Sequence, residues 1–127
     1  MEWTVLITLL AALEYFCLAI LVGKARGDTG VHAPACTGDD AFERIFRVQQ
    51  NTVEQLIIFF PSLWVFGYYV SHPIGATLGL LFIVGRFLYA RGYIAHPDKR
   101  APGFILGSLA LLALILGSLV GVLLEIF

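Results

Sequence analysis

The stretch ERIFRVQQNTVEQL, Glu43–Leu56, runs without a turn signal into IIFFPSLWVFGYYV, Ile57–Val70. Nine of its fourteen residues are charged, amide or hydroxyl, while the second stretch is almost wholly apolar. Polar and ionisable groups at the mouth of a bilayer-entering helix are costly unless they face a protein interior or a wet cavity. What lies against these side chains therefore bears on both the fold and its use.

The surrounding chain excludes an ordinary soluble domain. Its 127 residues are 59% hydrophobic and 13% charged, with a mean hydropathy of +0.87, whereas soluble domains carry about 25% charged residues. Four apolar stretches stand out: about Trp3–Gly23, Leu56–Val70, Ile74–Leu88 and Phe104–Ile126. A bilayer core takes roughly 20 residues per helix, and the shorter stretches reach that length through amphipathic ends. The expected fold is all-α and integral to the membrane: one four-transmembrane-helix bundle over residues 1–127, with helices at about 3–24, 41–70, 74–95 and 102–126. The first segment has no basic n-region and no small-residue cleavage pattern, so it is read as a retained helix. Cys17 and Cys36 form neither a CxxC nor a metal-ligand spacing, and no metal is expected.

Charge placement says more than the net charge of −1. Every Lys and Arg falls in two blocks, Lys24–Arg47 and Arg86–Arg100, around the first and third connections. The second connection, Ser71–Pro73, and both termini carry none. The positive-inside rule then places connections one and three in the cytoplasm and both termini on the opposite side.

Local signals set the helix ends. KARGDTG is expected to close helix 1 near Gly23–Gly27, with cations and glycine breakers. Gly27–Ala41 is rich in Gly, Pro, Asp and Thr and reads as an irregular loop. Asp39 or Asp40 can cap helix 2. Pro61 removes a backbone donor and should kink it. Ser71-His-Pro makes a tight turn, and HPDKRAP, His96–Pro102, ends helix 3. Gly117 and Gly121 in helix 4 form a GxxxG that suits close intrachain helix packing.

On helix 2, Arg44, Arg47, Asn51 and Glu54 fall within an arc of about 80° at 100° per residue. Arg86, Tyr89 and Tyr93 share a face of helix 3, and Lys99 and Arg100 follow at the same membrane surface. Arg26 adds a cation from the end of helix 1. A pocket so lined suits a small flexible ligand bearing carboxylates and an amine: Arg forks for the carboxylates, Glu54 for the ammonium, tyrosines to donate or stack. Arg44, Arg91 and Lys99 serve equally as headgroup anchors. Glu14, in the middle of helix 1, is either a packing residue or a partner for a polar group of helix 2.

ERIFRVQQNTVEQ resembles the second-helix signature of the MAPEG family, the membrane-associated proteins of eicosanoid and glutathione metabolism. That signature reads E-R-x-x-R-x-x-x-N-x-x-E, and Glu43, Arg44, Arg47, Asn51 and Glu54 occupy its fixed places. GRFLYARGY, Gly85–Tyr93, is similar to the family's third-helix R-x-x-Y-x-x-x-Y, and the compact loops and short tail resemble bacterial, microsomal glutathione S-transferase-like members. The resemblance implies a homotrimer with sites between subunits and glutathione as co-substrate. It implies glutathione contacts from Arg26, Arg47, Gln49, Asn51, Glu54, Tyr89 and Tyr93, beside the Arg86 of the helix 3 stripe, with Arg100 stabilising the thiolate. The electrophile would be lipophilic and dissolved in the bilayer; no nucleic-acid partner is implied. Gln55 and Gly27 depart from the leukotriene-forming branch, which has a tyrosine and a second arginine there. Two functions follow: glutathione conjugation or lipid-hydroperoxide reduction, or a non-catalytic lipid-binding role resembling that of the five-lipoxygenase-activating protein.

Overall fold

The computed structural model describes all 127 residues. Four long helices follow in order: α1 Glu2–Thr29, α2 Asp40–Tyr69, α3 His72–Ala95 and α4 Ala101–Ile126, with a 3-10 turn at Pro97–Lys99 before α4. Short connections between α2, α3 and α4 make these neighbours antiparallel. Three helices, α1, α3 and the segment Pro97–Ile126, are long and apolar enough to cross a membrane. α2 does not meet that measure, because its first half carries the polar stripe. Large apolar side chains such as Trp3, Leu9, Ile57, Phe87, Leu109 and Leu124 point outward, as lipid-facing residues do.

The ends reflect local chemistry. Asp39 caps α2, its Oδ1 accepting from the Phe42 N–H at 3.0 Å, and Ser71 caps α3 by accepting from the Ile74 N–H at 3.3 Å. α3 therefore starts at His72, two residues before the expected start, with Pro73 in its first turn. α1 runs past Gly23 and Gly27 to Thr29 and stops only at Gly30, whose φ of 75° is the left-handed cap. A Cβ added at either earlier glycine would meet nothing within 4 Å. Those glycines are helical and solvent-facing, and the helix continues because Val22 and Ala25 pack with Val31 and Phe42.

Pro61 does not break α2, which continues to Tyr69. α4 supports the chain there, the Ser118 hydroxyl donating to the Ser62 carbonyl at 3.1 Å. Phe59 and Phe82 stack at 4.1 Å between α2 and α3, inside a core completed by Ile7, Leu63, Phe66 and Leu114. In lipid, such packing rather than removal of apolar surface from water is what joins helices. Backbone comes close to backbone between α3 and α4. A Cβ on Gly85 would stand 2.5 Å from the Gly107 nitrogen, and one on Gly103 would run into the Tyr89 nitrogen. Gly117 and Gly121, the pair singled out in the sequence, instead receive Phe66 of α2 and Val70 just past its end. Both GxxxG pairs of α4 thus serve packing within the chain.

A separate polar chain closes the end opposite the basic connections. Thr4 Oγ1 and His72 Nδ1 are hydrogen-bonded at 2.6 Å, and Trp64 Nε1 donates to Thr8 Oγ1 at 2.9 Å.

Candidate functional site

At the other end, α2, α3 and α4 enclose a cavity of about 450 Å³ lined by Arg47, Asn51, Tyr89, Tyr93, Arg100 and Phe104. Each side chain is there for a local reason. Arg47 and Asn51 lie one turn apart on the α2 stripe, and Tyr89 and Tyr93 lie one turn apart on α3. Arg100 is the last residue before α4 and is fixed by its own turn, Nη1 donating to the Pro97 carbonyl at 3.0 Å. Its guanidinium carbon lies 6.0 Å from the Tyr93 ring centroid. The Gly85–Gly107 and Gly103–Tyr89 contacts bring Phe104 to 6.0 Å from the Tyr89 ring.

The cavity is rich in donors and short of acceptors. Two guanidiniums and two phenols face it, and the buried Asn51 Oδ1 has no hydrogen-bond partner. A buried orphan acceptor is uncommon and calls for a ligand or water. Glu54 does not line the cavity. It pairs with Arg47 at 3.5 Å, both side chains about half exposed at 57% and 55%, so its charge reaches the cavity through Arg47.

The other expected site residues lie elsewhere. Arg26 turns to its own connection: Nη1 donates to the Ala35 carbonyl at 2.8 Å, and the guanidinium sits 4.8 Å over the Phe42 ring. Gln49 falls on the side of α2 opposite the stripe and is not among the lining residues. Arg86 lies behind the cavity wall rather than in it, 3% exposed. Its Nη2 donates to Thr52 Oγ1 at 2.8 Å, and its guanidinium carbon is 4.3 Å from the Tyr89 ring centroid. Arg44 is a structural clamp, its Nε donating to the Ile94 carbonyl at the end of α3, 3.1 Å away. Thr52 and Phe104 were not singled out in the sequence. Thr52 lies outside the stripe's arc, and Phe104 looks like any apolar residue of α4.

The fold and site define an integral membrane protein: a bundle of apolar helices with an arginine- and tyrosine-lined cup at one end. The MAPEG family model matches residues 4–120, and the chain belongs to the MAPEG family. An uncharacterized protein of Synechocystis sp. is 49% identical over 121 residues, covering 95% of this chain and 88% of that protein. Human microsomal glutathione S-transferase 2 is 45% identical over 111 residues, covering 86% and 76%. Rat leukotriene C4 synthase is 32% identical over 119 residues, covering 92% and 78%.

Proposed function

We propose that this protein is a glutathione-dependent membrane enzyme that conjugates glutathione to lipophilic electrophiles, with reduction of lipid hydroperoxides as a second outcome of the same thiolate. The observation that carries this reading is the cavity itself, with Arg47, Asn51, Tyr89, Tyr93 and Arg100 on one wall-to-wall surface. Similarity to a microsomal glutathione S-transferase and a leukotriene C4 synthase supports it.

The residues fit the co-substrate's chemistry. Glutathione has two carboxylates, an ammonium, two amide N–H groups and a thiol. The forked donors of Arg47 match a carboxylate, Glu54 beside it suits the ammonium, and the orphan Asn51 Oδ1 accepts an N–H. Tyr89 and Tyr93 donate or stack. Arg100, at the start of α4, is the cation for the sulfur. A free thiol has a pKa of about 8.5, and a neighbouring guanidinium favours the anion, which is the nucleophile. Phe104, 39% exposed and on the same cavity, opens that side toward the lipid phase. In conjugation the thiol proton leaves to water, a C–S bond forms and a leaving group departs, or an epoxide opens and its oxygen is protonated. In peroxide reduction two glutathiones become the disulfide while the hydroperoxide becomes alcohol and water.

The assembly in this reading is a homotrimer with four membrane crossings per chain, sites between subunits, the cup facing the cytoplasm and the termini opposite. The half-exposed Arg47–Glu54 pair supports a covering neighbour, since an ion pair at lipid depth needs protein or water against it.

The test is addition of glutathione to the detergent-purified protein, watching the thiolate ultraviolet band, with turnover of an activated aryl halide and of a lipid hydroperoxide. A band at neutral pH and turnover of either substrate are expected. Absence of both would overturn the enzyme reading in favour of a lipid-binding, non-catalytic role.

A further inference from the structure

Arg86 is deeply buried on a helix apolar enough to span a membrane. Of its five N–H donors, the one to Thr52 is satisfied, and Nε is buried with no partner. A guanidinium so placed needs a counter-charge. Glu54 on the α2 stripe is already taken by Arg47. The carboxylate that shares a cavity with Arg86 is Glu14 of α1, across a space of about 250 Å³ walled by apolar side chains such as Leu18, Leu21 and Phe87. Glu14 itself makes no ion pair within the chain. No ion pair joins the two side chains within 4 Å, and with apolar walls around them each is the other's one nearby charged partner in that space, apart from Arg91 at its exposed edge.

We propose that Glu14 is the counter-charge of Arg86, and that this pair positions Tyr89 in the candidate site. Arg86 joins two walls of the site from behind. It holds α2 through Thr52, the neighbour of Asn51, and holds the Tyr89 ring by its face at 4.3 Å. Glu14 keeps the guanidinium in place between them. Arg91 also edges the α1–α3 cavity, but it is exposed at the basic end, so water and lipid headgroups balance its charge. Glu14 is thus a positioning residue acting through Arg86, and its partner is on α3 rather than on α2.

The activity part of the inference rests on the glutathione reading; the pairing does not. A double-mutant cycle of Glu14→Gln and Arg86→Met separates them. In the parent, Glu14→Gln should raise KM for glutathione about tenfold, the worth of one well-placed hydrogen bond, with kcat within about twofold. Glu14→Asp should restore most of that affinity. In the Arg86→Met background, Glu14→Gln should change neither KM nor Tm, because removing one partner of a buried pair costs more than removing both. Equal losses in both backgrounds, or no loss in the parent, overturn the proposal. If Glu14→Gln does not fold, recovery of folded protein in the double variant supports the pair, and failure to recover counts against it. If the parent binds no glutathione, the glutathione reading falls and the Tm cycle alone decides on the pair.

Discussion

At Arg47 and Arg100 two identical side chains face one cavity from different supports, and their expected roles differ accordingly. Arg47 rides on α2 and is half-exposed beside Glu54; Arg100 is tied to the Pro97 carbonyl in the turn before α4. Truncating Arg47 removes a charge-assisted bond to a carboxylate, worth about 1.5–3 kcal/mol. Arg47→Ala should therefore raise KM for glutathione roughly 10- to 100-fold while the bound thiol still ionises. Arg100→Ala should instead abolish the thiolate band at neutral pH with a smaller change in affinity. Stopped-flow absorbance at a series of glutathione concentrations reads both quantities. A full band in Arg100→Ala would move thiol activation to Tyr93 or Lys99. The stripe of Arg47 and Asn51 was legible in the sequence, because helical periodicity alone puts these residues on one face. Thr52 was not: a threonine 80° off that face gives no sign that it accepts from an arginine 34 residues later. Arg26 entered as a cation at the end of helix 1 and Gln49 through resemblance, and within one chain neither reaches the cavity.

For the helices, legibility depended on what sets each end. A cap at Asp39 or Asp40 was readable because a short acceptor before an acidic first turn has a local cause, and the structure selects Asp39. The end of α1 was misjudged, since Gly23 and Gly27 break a helix only where packing does not hold it, and Val22, Ala25 and Phe42 do hold it. The glycines that matter most lie at the α3–α4 seam, and their spacing resembles that of any glycine-rich membrane helix. A seam glycine and an α1 glycine yield opposite predictions from the same substitution. Gly103→Ala drives a methyl into the Tyr89 backbone, and overpacking of this kind costs about 1–3 kcal/mol. It should lower Tm and also weaken glutathione binding, because Tyr89 and Phe104 move with the seam. Gly27→Ala adds a methyl to open space on α1 and should stabilise by about 0.5–1 kcal/mol. Thermal unfolding in detergent checks both, and a neutral Gly103→Ala would show that the seam yields.

For the whole molecule, the basic connections and the lone exposed loop cysteine give a direct test of orientation. Cys36 lies between α1 and α2 and is exposed, on the connection that the positive-inside rule assigns to the cytoplasm. In a Cys17→Ser background, a membrane-impermeant maleimide should leave Cys36 unmodified on intact cells and modify it after lysis. Labelling of intact cells would invert the topology and move the cup to the outer face.

Whether each site is finished by a second copy is the larger question, and Arg26 is the residue that poses it. Its guanidinium turns toward Ala35 and Phe42 of its own chain, while the cup is left open beside a half-exposed ion pair. If the site lies between subunits, Arg26 of one copy serves the Arg47 and Arg100 of another. Arg26→Ala protein and Arg100→Ala protein should then each be nearly inactive alone as homotrimers. Co-expressed with different tags and purified through both, the mixed assemblies should regain a fraction of parental turnover, since some sites combine an intact Arg26 with an intact Arg100. Native mass spectrometry of the same sample should show three chains. A site completed within one chain leaves every Arg100→Ala subunit dead and every Arg26→Ala subunit unchanged by its neighbours, so mixing would give only the average of the two parents. Recovery above that average is the outcome that makes the assembly, rather than the chain, the unit of function.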